Sequence, residues 1–218
     1  MSNQFNINFG ESSSSENSTR KFPICLVLDT SGSMHGNNIQ DLNRNVHQFL
    51  QFVSNNPKAR RNAEISIIEF GGDVRVITGY NSIENIEFKD LEAYGATPLG
   101  EAVEKALDLL DIRRQYYRNN AIEHYKPIML IMSDGEPTDN YGVVADEVYN
   151  MVQNKQLKIF PVGIGSKFNV AHLAKFSPFL RPRLISNSSD FSELFELLSA
   201  SSSNPEDDSL DKWFNEDF

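Results

Sequence analysis

Asp29, Ser31 and Ser33 stand at alternate positions directly after the apolar run Ile24-Cys25-Leu26-Val27-Leu28. A carboxylate and two hydroxyls so spaced can turn toward one point above a strand end, and oxygens of that kind suit a hard divalent cation. Asp-x-Ser-x-Ser equally suits an ordinary turn, because Asp and Ser side chains hydrogen-bond nearby backbone. Two later stretches add to it. Thr97 lies in Gly95-Ala96-Thr97-Pro98-Leu99-Gly100, and Asp134 follows the apolar run Pro127 to Met132, in Ser133-Asp134-Gly135-Glu136-Pro137-Thr138-Asp139. Thr97 has a competing explanation: Pro98 fits the first turn of a helix, which puts Thr97 at or beside the N-cap with its hydroxyl used on backbone.

Other chemistries fail on what accompanies these residues. Asp29 at a strand end is placed like the nucleophile of a haloacid-dehalogenase-type phosphotransferase, but the acid such enzymes need two residues on is Ser31. Ser33, His35 and Asp29 supply triad residue types, yet no Gly-x-Ser-x-Gly elbow is present and residues so close in one loop rarely make a triad. Gly163-Ile164-Gly165 opens like a dinucleotide fingerprint, and its third glycine position is Phe168. There is no Gly-Lys pair for a P-loop. His47, His124 and His172 are scattered and read as ordinary surface or core histidines.

For Asp29, Thr97 and Asp134 to meet, the chain must bring two strand ends and a helix start together. Ile24 to Leu28 reads as a buried strand. Ile39, Leu42, Val46, Phe49, Leu50 and Val53 then mark one face of a helix that ends near Asn55-Asn56-Pro57. Glu64 to Phe70 and Val74 to Tyr80 are strands joined by Gly71-Gly72-Asp73, a connection tight enough to require an antiparallel pair. Ala102, Val103, Ala106, Leu107 and Leu110 mark a second helix. After the Pro127 to Met132 strand come a helix over Val143 to Val152, a strand over Leu157 to Ile164, a short helix over Val170 to Phe176, a brief strand over Arg183 to Ile185, and a closing helix through Phe191, Leu194, Phe195 and Leu198. Strands separated by helix-length connections call for a doubly wound, Rossmann-like α/β domain: a mostly parallel sheet with one antiparallel edge strand and helices on both faces. Ligands of such sheets sit at the carboxyl ends of the strands.

The chain's 218 residues fit one sizeable domain, and 39% hydrophobic with 23% charged residues is ordinary for a globular protein. A formal charge of -10 opposes sequence-independent contact with nucleic acid or anionic lipid and leaves proteins or cations as partners. The single cysteine, Cys25, falls inside a strand, so no disulfide within the chain and no Cys-based zinc site is available. No apolar core like that of a signal peptide occurs near Met1 and no run approaches a membrane span, which reads as a cytoplasmic protein. Residues 1–20 read as a flexible Ser-rich lead, 21–200 as the domain, and 201–218 as an acidic, disordered tail. The tail admits a second use: one of its carboxylates, anchored by Trp213 and Phe214, would act as a tethered plug for the metal site.

Asp29-x-Ser31-x-Ser33, then Thr97, then Asp134, each at a strand end or helix start, closely resemble the metal-ion-dependent adhesion site of von Willebrand factor A (VWA) domains, over roughly Lys21 to Ala200. Leu28 to Met34, Ala63-Glu64-Ile65-Ser66-Ile67-Ile68, Ala96 to Gly100 and Ser133 to Asp139 further resemble the bacterial TerY-like branch, named for association with tellurite resistance. The resemblance implies Mg²⁺, with Mn²⁺ or Ca²⁺ as substitutes, held by the hydroxyls of Ser31, Ser33 and Thr97. Asp29 and Asp134 would hold coordinated water or ligate directly, both as solvated loop residues. Neutral hydroxyls leave the ion electron-poor and able to take an Asp or Glu from a partner protein, so the resemblance implies a docking point and no enzyme. A protein kinase or phosphatase is the partner it suggests, in stress or phosphorylation signalling. The alternatives are a metal-dependent phosphatase and a scaffold whose site stays empty. The Ser-rich lead and the acidic, aromatic-ended tail depart from the branch.

Overall fold

The computed structural model describes residues 20–164 and 171–215. Its centre is strand β1 (Phe22–Asp29), buried at every position. β1 pairs in parallel with β2 (Ala63–Gly71) on one side and β4 (Ile128–Ser133) on the other. β3 (Asp73–Asn81) turns back antiparallel on β2, and β5 (Lys158–Ile164) and β6 (Arg183–Ile185) extend the parallel side, giving the order β3-β2-β1-β4-β5-β6. This is the expected mostly parallel α/β sheet with one antiparallel edge strand.

Both faces of the sheet are covered, which is why its central strands read as apolar runs without alternation. Ile24, Leu26 and Leu28 point to the face packed by α1 (Asn37–Asn55) and α6 (Ser188–Ser203), through Leu42, Val46, Phe49, Leu194 and Leu198. Cys25 and Val27 point to the other face, packed by α3 (Leu99–Asn119), α4 (Gly142–Gln153) and α5 (Ala171–Ala174). Cys25 is fully buried, and burial pushes its thiol up to about 12, so it serves as a small hydrophobe.

The stop expected at Asn55-Asn56-Pro57 is also a start. Asn56 Oδ1 accepts the Lys58 and Ala59 amides (3.0 and 3.1 Å), and Pro57 opens a further short helix, α2 (Pro57–Asn62). α3 runs beyond Leu110, where the apolar pattern fades. Its last turns are held through Arg113, which bonds both Glu64 oxygens at 2.6 Å, and through the Tyr117 hydroxyl on the same carboxylate.

The expected disordered tail is corrected over its described part. α6 passes residue 200, and Ser209–Asn215 form α7, with Leu210, Trp213 and Phe214 buried. Counting acids missed that three apolar side chains on one face suffice where the sheet offers a surface: Phe214 packs on Phe160, while Asp211 pairs with Lys158 (2.5 Å) and Asp208 with Lys212 (2.8 Å). Lys158 opens β5, whereas Asp29 and Ser133 close β1 and β4, so α7 sits at the end of the sheet away from the candidate site. The tethered-plug reading fails for residues 201–215. Arg20, assigned to the lead, already packs its guanidinium over Tyr125 (4.4 Å). The rest of the lead (1–19), the fingerprint's Gly165 and Phe168, the start of the helix expected at Val170, and residues 216–218 lie outside the described residues. Among the described residues no helix is long and apolar enough to cross a membrane.

Candidate metal site

All five predicted residues come to one place at the carboxyl ends of β1 and β4. The Ser33 hydroxyl donates to Asp134 Oδ1 (2.6 Å), the Ser31 hydroxyl lies 3.5 Å from the same oxygen, and the two serine hydroxyls are 3.1 Å apart. Gly135 sits against this group: a Cβ there would stand 3.2 Å from Thr97 Oγ1 and 3.5 Å from Ser33 Oγ. A side chain at that position would crowd the Thr97 hydroxyl and touch that of Ser33, which ties the Asp134-Gly135 step to Thr97 as well as to the serines.

The group is layered by depth. Asp29 is fully buried, Ser31 and Thr97 are nearly so, Asp134 is half-buried and Ser33 is exposed. The expectation of two solvated carboxylates therefore holds for neither in full and fails for Asp29. Asp29 Oδ1 accepts the Ser31 amide (2.7 Å), and Oδ2 accepts the Ser133 hydroxyl (2.5 Å). Parallel pairing explains this placement, since Leu28 lies opposite Met132 and the next residues on each strand, Asp29 and Ser133, fall side by side. Burial pushes the Asp29 carboxyl up to about 6, against the lowering influence of the Ser133 and Ser31 hydrogen bonds. Asp134 is also raised, by desolvation first, with Ser33 acting in the opposite direction. Two carboxyls held among hydroxyls and partly out of water are short of positive charge. A divalent cation fits that deficit and the donor set, with Ser31, Ser33, Thr97 and Asp134 able to hold it directly and Asp29 beneath.

Thr97 does not cap α3. The helix N-terminus is satisfied from another loop: Asp139 Oδ1 and Oδ2 accept the Gly100 and Glu101 amides (3.1 and 2.8 Å). Thr138 completes the clamp, its hydroxyl accepting the Thr97 amide (3.1 Å) while its own amide donates to the Thr97 carbonyl (3.0 Å). Thr138 and Asp139 thus lock the loop bearing Asp134 to the segment bearing Thr97. Gly100 permits the approach, because a Cβ there would meet Asn140 O and Asp139 Oδ2 at 2.9 Å. Sequence reasoning missed this role: both residues lay inside a noticed motif, but nothing local shows that an Asp caps a helix some forty residues upstream.

The Asp29 loop is braced separately. Tyr94 N donates to Thr30 O (2.7 Å), Gly32 N to Gly95 O (3.0 Å) and Gly72 N to Ala96 O (2.9 Å). Gly95 has φ +70, and a Cβ on it would stand 2.4 Å from Gly72 Cα. Backbone packed this closely leaves room only for glycine.

Among the described residues no cluster of three or more His, Cys, Asp or Glu occurs. The site is therefore hydroxyl-rich with two carboxylates rather than an acidic cage. The model of the von Willebrand factor type A domain matches residues 24–200.

The chain belongs to the von Willebrand factor type A domain family. A comparison with curated proteins found no match. Among solved structures this VWA domain is similar to proximal thread matrix protein 1 (PTMP1) from the mussel byssus, with TM-score 0.59 at 14% identity over 85% of this chain and 49% of that one. It is also similar to the ArnB paralog VWA2 from Sulfolobus acidocaldarius (0.57, 22%, over 82% and 45%) and to a von Willebrand factor type A structure from Catenulispora acidiphila (0.59, 15%, over 84% and 43%). At these identities the likeness shows the fold, and the chain spans less than half the length of each of these structures. A further structure of PTMP1, at 16% identity and TM-score 0.57, has a zinc-occupied metal-ion-dependent adhesion site.

Proposed function

We propose that this VWA domain is a Mg²⁺-dependent protein-interaction module that captures an Asp or Glu side chain of a partner protein. Domains of this family generally mediate protein–protein contact. The observation that carries the reading is the meeting of three hydroxyls and only two carboxyls at one half-open point, with Asp134 Oδ1 bonded to Ser33 at 2.6 Å. An ion held mainly by neutral oxygens keeps its charge for an incoming carboxylate, and magnesium commonly retains exchangeable water. PTMP1 with zinc in its adhesion site supports a divalent cation at this place in the fold; the oxygen-only donor set here favours magnesium over zinc.

The finer reading is a TerY-like protein of the cytoplasm whose partner is a kinase or phosphatase of a stress or phosphorylation system. The motif around Ser133 to Asp139 supports it, and the Thr138–Asp139 clamp gives those two motif positions a physical role. On this reading the domain docks its partner and catalyses nothing.

The test is capture from native lysate by the wild-type chain and by Asp134→Ala, each with and without EDTA. Proteins retained by wild type and lost on chelation or substitution are the expected result; identical retention in all four arms overturns the proposal. Mg²⁺-dependent hydrolysis of p-nitrophenyl phosphate, lost in Asp134→Ala, would turn the assignment to a phosphatase.

A further inference from the structure

We propose that the cleft at the amino ends of β4 and β5, beside the end of α4, is a second docking site that takes an acidic peptide segment with an aromatic anchor. The cleft encloses about 390 Å³, with Leu157 and Leu180 on its walls and Phe179, 64% exposed, at its lip. Lys126, Lys155 and Lys158 also line it. β4 spans six residues, roughly 20 Å at strand rise, so the cleft is well removed from Asp134 at the strand's other end.

Three lysines around one cleft stand out in a chain of net charge -10. Lys126 has its pKa pushed down, by desolvation first and then by the Lys158 and Lys155 cations, with Asp211 acting in the opposite direction; three lysines against the one acid, Asp211, leave the lining cationic. Among the described residues neither Lys126 nor Lys155 forms an ion pair, whereas Lys158 meets Asp211 of α7 at 2.5 Å. α7 shows which chemistry this end of the molecule accepts: its carboxylate sits on a lysine while Trp213 and Phe214 are buried alongside. A partner segment of the same character would place its acids on Lys126 and Lys155 and its ring beside Phe179.

Lys155 supplies a separate observation. It follows the last turn of α4 at φ 59, with its amide on Val152 O (3.0 Å) and the next amide, of Gln156, on Met151 O (2.9 Å). Glycine takes this left-handed position without strain, and a lysine does not. A strained lysine on the lip of a lysine-lined cleft points to a use for its cation.

The test uses the full chain in EDTA, which removes metal-dependent capture, and a fluorescein-labelled peptide of alternating Asp and Phe. Saturable binding is expected, weakening with added salt and lost when Ala replaces Phe in the peptide. Lys126→Ala and Lys155→Gly should each weaken it about threefold, the scale of one exposed ion pair. Lys155→Gly should at the same time raise the midpoint of thermal unfolding, an opposition of signs that a purely structural lysine would not give. Unchanged peptide affinity in both variants, no binding by wild type, or binding to anionic vesicles with none to the peptide overturns the proposal.

Discussion

Asp29 and Thr97 show how far residue type alone carries. Both were legible as candidate metal-site residues from the order Asp-x-Ser-x-Ser, Thr, Asp along the chain, but their surroundings were not. Asp29 is fully buried and holds the Ser31 amide and the Ser133 hydroxyl. Asp29→Ala would strip both donors of their acceptor, a cost of about 1–3 kcal/mol each, and is therefore a poor test of metal binding. Asp29→Asn keeps the shape and one acceptor; it should fold while binding Mn²⁺ at least about tenfold more weakly, because a full charge next to the ion is lost. Titration calorimetry alongside circular dichroism checks both halves. Thr97→Val removes the hydroxyl and keeps the volume. Since Asp139 supplies the α3 cap, Thr97→Val should lose cation binding with less than about 1 kcal/mol change in stability, whereas Asp139→Ala should lose about 1 kcal/mol. Urea unfolding of the two variants separates the roles; a Thr97→Val protein that binds Mn²⁺ as wild type does would return Thr97 to a structural part.

Individual elements were legible where a single period ran without interruption. α1 and the buried strands followed from their apolar spacing, because a helix face and a two-sided sheet each impose one simple pattern. α2 and α7 were not, since each depends on something outside its own sequence: α2 on a cap whose side chain reaches into the next turn, α7 on the surface that Phe160 of β5 and Arg183 of β6 present to Phe214 and Trp213. The same dependence gives a prediction. Trp213→Ala removes a buried indole that packs on Phe214 and under Arg183 (3.9 Å), and should cost about 3–5 kcal/mol in urea unfolding. An exposed tail would show no change. Gly95→Ala should be comparably damaging through its clash with Gly72, and should weaken cation binding by displacing the loop that Gly32 leans on.

At the scale of the whole molecule, parallel register does the positioning. β1 and β4 run side by side, so the loops after them are neighbours although Asp29 and Asp134 lie far apart in sequence, and the fold class read from alternating strands and helices already implied that neighbourhood. Asp211 of α7 sits on Lys158 at the amino end of β5, away from the strand ends that carry Asp29 and Asp134, so removing residues 206–218 should lower stability without strengthening metal-dependent capture of an acidic partner. On the proposed function, Asp29, Ser31, Ser33, Thr97 and Asp134 together hold one divalent cation. Isothermal titration of the metal-free chain with Mn²⁺ tests it most directly: one ion per wild-type chain, competed by Mg²⁺ and lost in Asp134→Ala, is the predicted result, and a folded wild-type chain that takes up no ion, or an Asp134→Ala chain that takes it up equally well, would contradict the account.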